Sequence, residues 1–161
     1  MIDLDAVRRF ATRAHEGQRY GEQPYTAHLE AVADTLERFG HHQTELLAAA
    51  WLHDCVEDCA VLIEQVEALA GPRVAALVDA VTDAPGANRR QRKEKPYHLI
   101  PQVPGAVLVK LADRIANVEA SLETRPDLVR TYLGEHPTFH ERLYKPGEAD
   151  DMWAWLQGLL A

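Results

Sequence analysis

Apolar residues recur at helical spacing along almost the whole chain, and strand signals are weak. A first helix is expected from Leu4 to about Glu16, carrying Val7, Phe10, Ala11 and Ala14 inward and stopped by Gly17. The stretch Gln18 to Pro24, with Gly21 and Pro24, reads as a loop. A second helix is expected from about Tyr25 to Phe39 and a third from about Thr44 to Val56. A fourth follows over about Leu62 to Ala70, broken by Gly71-Pro72, and Pro72 suits the first turn of a fifth that reaches about Val81. A basic helix from Ala87 to about Tyr97 and a strongly apolar one from Ala106 to about Leu122 come next. Two more complete the chain: one precedes Pro137 or is kinked by it, and the last carries Trp153, Trp155, Leu156, Leu159 and Leu160. The pattern predicts an all-α fold of about eight helices, a single domain over residues 1–161.

Composition narrows the function classes. Hydrophobic residues make up 47% and charged residues 26% of the 161, as in ordinary soluble domains. No apolar run approaches the roughly 20 residues of a membrane span. The acidic start, Met1-Ile2-Asp3-Leu4-Asp5, lacks a signal-peptide pattern, so a cytoplasmic setting is expected. A formal net charge of −8 argues against nucleic-acid and anionic-membrane partners, though not against a small anionic substrate. Arg89, Arg90, Arg92, Lys93 and Lys95 form the one dense basic segment, which a solvated helix face also explains. Cys55 and Cys59 read as small, reduced, partly buried thiols. Phosphate-cradling glycine motifs are absent. Trp153 and Trp155 fit core or a contact between copies, so a homo-oligomer stays open.

Three segments carry groups capable of chemistry. In Leu52-His53-Asp54-Cys55-Val56-Glu57-Asp58, helical spacing sets His53 above Glu57 and Asp54 above Asp58. Three clustered carboxylates repel unless a positive charge sits among them, and a divalent cation beside a neutral imidazole meets that need. A charged helix end explains the same residues, at some cost against the helix dipole. In Val109-Lys110-Leu111-Ala112-Asp113-Arg114-Ile115-Ala116-Asn117, Asp113 and Asn117 lie one turn apart on an apolar helix. A carboxylate there needs a metal or a tight ion pair. In Arg19-Tyr20-Gly21-Glu22-Gln23-Pro24-Tyr25-Thr26-Ala27-His28, a lone histidine follows a polar loop. His136 and His140 have one-turn spacing but Pro137 between them, which disfavours a second metal site.

Taken in order, Arg19…Gly21…Pro24-Tyr25…His28, then His53-Asp54…Glu57-Asp58, then Lys110-Leu111-Ala112-Asp113-Arg114…Asn117, the chain resembles the HD hydrolase domain of the RelA/SpoT enzymes and the small alarmone hydrolases. Ala14-His15-Glu16-Gly17-Gln18 resembles that family's opening segment, and Gly71 to Thr82 its segment after the catalytic helix. The likeness is strongest over residues 4–122 and fades beyond.

That resemblance implies a compact HD-type helical domain with one divalent ion, usually Mn²⁺, held by His28, His53, Asp54 and Asp113. It gives Glu57 and Asp58 the water and proton transfers, sets Asn117 against the substrate sugar and puts Arg19 beside the base. Tyr20, standing where the family usually has Lys, also faces the nucleotide, and Arg89, Arg92 and Lys93 are the basic residues expected near phosphates. The implied reaction releases pyrophosphate from the 3′ position of (p)ppGpp, leaving GDP or GTP. Other substrates remain open, such as an adenine analogue or a nucleoside monophosphate, as does a nucleotide-binding domain without turnover. Since the chain ends at Ala161, no synthetase activity is expected. Leu29 replaces a common Pro and Cys59 a common Thr, and neither is a ligand position.

Overall fold

The computed structural model describes residues 1–161. In order these form α1 (Leu4–Ala14), β1 (Arg19–Tyr20), β2 (Gln23–Pro24), α2 (Thr26–Arg38), α3 (Thr44–Leu52), α4 (Cys55–Asp58), α5 (Ile63–Ala70), α6 (Pro72–Val81), α7 (Arg89–Leu99), α8 (Ala106–Thr124), α9 (Pro126–Leu143) and α10 (Asp150–Leu159). A 3₁₀ turn, Ile100–Gln102, joins α7 to the segment before α8. The fold is all-α, as the periodicity predicts. Its only sheet is a two-residue antiparallel hairpin, with Arg19 opposite Pro24 and Tyr20 opposite Gln23, inside the expected loop.

The expected third helix is divided. Regular α-helix stops at Leu52 and resumes at Cys55. The His53 ring nitrogen Nδ1 lies 2.6 Å from the Ala50 carbonyl oxygen, the group that would accept from the Asp54 N–H in a continuing helix. The interruption therefore falls on His53 and Asp54, whose backbones stay in the right-handed helical region. Conversely, α9 runs through Pro137 without ending there, anchored on either side by buried Tyr132 and Phe139.

The longest helix, α8, is the axis of the molecule. It packs against α2, α3, α6, α9 and α10. Val109, Leu111, Ala112, Ile115 and Val118 are fully buried along it. Its start depends on Gly105, whose φ of +88° suits glycine alone and where an added Cβ would meet Leu46 at 3.2 Å. Asp3 caps α1 by accepting from the Asp5 and Ala6 amides. Trp153 is buried, whereas Trp155 stacks at the surface on Phe39 and Arg38. No helix is long and apolar enough to cross a membrane.

Candidate active site

Four side chains converge where α2, the α3–α4 break and α8 meet. His28 enters from the first turn of α2, His53 and Asp54 from the break, and Asp113 from the middle of α8. His28 Nε2 lies 3.0 Å from Asp113 Oδ1 and 3.8 Å from Asp54 Oδ2. His53 Nε2 lies 3.0 Å from Asp54 Oδ2 and 3.3 Å from Asp113 Oδ1. Both imidazoles are buried.

This donor set fits a cation. With Nδ1 donating to the Ala50 carbonyl, neutral His53 presents a lone pair at Nε2, aimed at two carboxylates. That buried Nε2 has no partner of hydrogen-bond geometry. A lone pair facing carboxylate oxygens is repulsive unless positive charge lies between them. The same demand appears in the acidities. Burial pushes His53 toward the neutral form, but Asp54 and Asp113 outweigh it and hold its proton well above the ordinary range. Asp113 is held well below the carboxylate range, with burial opposed by His53, His28 and Lys110. The pocket therefore favours positive charge at its centre, and His28, His53 and Asp113 stand at metal-holding distance from one another.

Neighbours orient these groups. The Tyr25 hydroxyl donates to Asp54 Oδ2 at 2.6 Å, and Asn117 Nδ2 donates to Asp113 Oδ1 at 3.0 Å. Tyr20 stacks on the His28 ring at 4.7 Å and donates through its hydroxyl to Asn117 Oδ1 at 2.7 Å. Glu57 and Asp58, from α4, face the same cleft. Glu57 Oε1 accepts from the Asp83 amide at 2.8 Å. Partial desolvation raises the pKa of both, helped by the field of Asp54.

The cleft, of about 240 Å³, is lined by acidic and basic side chains together. Arg89, Lys93, Lys110 and Arg114 line it together with Asp54, Glu57, Asp58 and Asp113, and Lys110 Nζ lies 3.7 Å from Asp113 Oδ2. Lys93 also bonds Asp83 Oδ2 at 2.8 Å. Glu135 pairs with both Arg89 and Arg114, whose Nη2 lies 3.0 Å away. The Arg114 guanidinium sits between the Tyr132 and Phe139 rings. Of the residues expected at the site, the structure brings together His28, His53, Asp54, Asp113, Glu57, Asp58, Asn117, Arg89 and Lys93. Arg19 and Arg92 do not line the cleft. Arg19 bonds the Glu22 carbonyl within its own hairpin, and the Arg92 side chain starts out against Gly86. Tyr20 lies behind His28 rather than in the lining.

Sequence reasoning assigned no role to Lys110, Arg114 or Tyr132. The first two carried a signal: with Asp113 and Asn117 they form one stripe of α8 at i, i+3, i+4 and i+7. Tyr132 carried none, since it lies beyond the motifs.

Comparison with known proteins agrees with this geometry. The family described as HD domain matches residues 7–136. A Vibrio cholerae protein named guanosine-3′,5′-bis(diphosphate) 3′-pyrophosphohydrolase is 40% identical over 82% of this chain and 20% of its own length. Human MESH1, of the same activity name, is 39% identical over 68% of this chain and 64% of its own. Escherichia coli SpoT, named a bifunctional (p)ppGpp synthase/hydrolase, is 37% identical over 78% of this chain and 19% of its own. The chain thus spans about a fifth of the bacterial relatives and less than two thirds of the human one. A solved structure described as a metazoan ortholog of SpoT that hydrolyzes ppGpp superposes with a TM-score of 0.80 at 27% identity. The overlap covers 97% of this chain and 92% of that one. With most of its length matched and its His and Asp side chains gathered at one buried point, the chain belongs to the HD-domain family.

Proposed function

We propose that this chain is a metal-dependent phosphohydrolase that removes the 3′-pyrophosphate of guanosine 3′,5′-bis(diphosphate) and its 5′-triphosphate counterpart. The observation that carries this reading is the shared cleft: a cation-seeking His/Asp cluster, two further carboxylates and four Lys and Arg side chains line one cavity. A nucleotide with phosphates at two positions needs both a cation site and basic side chains.

His28, His53, Asp54 and Asp113 would hold the ion, and two imidazoles with two carboxylates suit Mn²⁺. What a divalent cation supplies there, when bound, is Lewis acidity toward a phosphoryl oxygen and toward water. Tyr25 and Asn117 fix the two carboxylates in place. Glu57 and Asp58 take the proton of the attacking water as its oxygen bonds to the phosphorus attached to the 3′ oxygen. The P–O3′ bond breaks, the sugar oxygen leaves with a proton, and pyrophosphate is released. Arg89, Lys93, Lys110 and Arg114 neutralise phosphate charge during this exchange. Asn117, joined to Tyr20, borders the sugar.

The test is a nucleotide panel with Mn²⁺, its products resolved by anion exchange. Guanosine 3′,5′-bis(diphosphate) should yield GDP and pyrophosphate in equal amounts. Release of orthophosphate, or turnover of adenine or monophosphate nucleotides only, would overturn the substrate assignment. Asp113→Ala should lose bound metal and activity together, and full occupancy by elemental analysis in that variant would sink the ligand set.

A further inference from the structure

Behind Asp58, away from the cleft, lies a line of polar groups that the chemistry above leaves unused. Gln18 Nε2 lies 3.2 Å from Asp58 Oδ2, a contact spanning 40 residues of sequence. Gln18 Oε1 lies 2.8 Å from His15 Nδ1. His15 Nε2 lies 3.7 Å from the Cys55 sulfur. His15 and Cys55 are buried, and Cys59 flanks the line with its sulfur 3.2 Å from His15 Nδ1.

The direction of each bond follows from its end. An ionised carboxylate can only accept, so the Gln18 amide must turn its NH₂ toward Asp58. Its oxygen then faces His15, which must carry its proton on Nδ1. The other ring nitrogen is left an acceptor, and the one hydrogen within reach of it is the Cys55 thiol. The chain of donation runs Cys55 to His15 to Gln18 to Asp58, without a conflict at any atom. A swapped Gln18 amide would set its oxygen against the Asp58 carboxylate, so the amide orientation is fixed while Asp58 is ionised, and the Cys59 thiol, 3.9 Å from Gln18 Oε1, is a second donor to that oxygen. His15 is itself clamped, stacked at 4.7 Å on Tyr25, the residue whose hydroxyl holds Asp54.

We propose that Gln18 is a positioning residue for Asp58, locked in orientation by His15 and Cys55, so that Asp58 keeps its Oδ1 turned to the attacking water. This rests on the role given to Asp58 above. Each link polarises the next, which strengthens the final N–H donated to the carboxylate. The hairpin that carries Arg19 and Tyr20 begins directly after Gln18, so the same side chain also ties the α1–β1 turn to α4.

Gln18→Glu tests this with no change of shape, because it replaces the donor to Asp58 by a second acceptor. With guanosine 3′,5′-bis(diphosphate) and Mn²⁺, its kcat should fall about tenfold or more, as for loss of a hydrogen bond to a charged group. KM and metal content should stay at parental values. In an Asp58→Asn background the same change should cost less than about twofold, because the carboxylate it positions is gone. Gln18→Glu at the parent rate, in an enzyme that Asp58→Asn impairs, overturns the positioning role alone. An undiminished loss in the Asp58→Asn background also overturns it, since that marks a general packing defect. Asp58→Asn at the parent rate overturns the assignment of Asp58, and the positioning role falls with it.

Discussion

Glu57 and Asp58 stand side by side in sequence and are held by different partners: a backbone amide for Glu57, a side-chain amide for Asp58. In the folded protein both carboxyls have their pKa raised above the ordinary carboxylate value, first through desolvation and then through neighbouring carboxylates. The sign is fixed. A base works when deprotonated, so activity is present at high pH and lost as pH falls through the raised values. The acid limb of the kcat profile should therefore lie above that of an unperturbed Asp or Glu. Glu57→Gln should lower kcat by roughly 10²-fold with metal content near normal, and parental turnover would remove Glu57 from the chemistry. Tyr20 belongs at this scale too. The absence of the usual Lys was legible in the sequence, but its consequence was not. One ring face is already occupied by His28 and the hydroxyl by Asn117, contacts that join residues far apart along the chain. Tyr20→Lys breaks both. The ratio of kcat/KM for guanine over adenine 3′-pyrophosphates should rise in that variant, and an unchanged ratio would free Tyr20 of any part in base selection.

Among the elements, helices defined by long apolar stripes were readable, as in α1, α2 and α8, because burial of one face sets their phase. The break between α3 and α4 was not. It depends on one histidine ring reaching back to a carbonyl, and periodicity does not encode side-chain capture of a backbone group. The basic helix shows the same division. Five cations in seven residues were evident in sequence, but which of them face the site depends on how α7 is rotated against α6 and α9. Arg89 and Lys93, one turn apart, line the cleft, while Lys95 pairs with Asp79 outside it. Arg89→Ala should raise KM more at low salt than at high salt, because partly exposed charges are screened. Arg92→Ala should leave KM unchanged at either ionic strength. Equal effects from the two variants would show that α7 acts through its total charge.

Across the whole molecule, the motif residues supply most of the cleft lining and the C-terminal third adds Tyr132 to it and Glu135 behind two of its arginines. Tyr132 and Glu135 lie on α9, beyond residue 122 where the family likeness in sequence fades. Their placement depends on Phe139, fully buried and packed against the Arg114 guanidinium, Tyr97 and Trp153. Phe139→Ala should cost roughly 3–5 kcal/mol in denaturant unfolding, and a loss below about 1 kcal/mol would show that α9 is not anchored there. One contact noted earlier reaches further than its size suggests. Lys93 grips the Asp83 side chain while the Asp83 amide holds Glu57, so a group that touches Lys93 also pulls on Glu57. If the proposed substrate sets a phosphate on Lys93, this linkage makes turnover depend on substrate length. A nucleotide stripped of the phosphates that reach Lys93 should then lose turnover at saturation, not merely affinity, because remote binding energy is spent on alignment at the scissile bond.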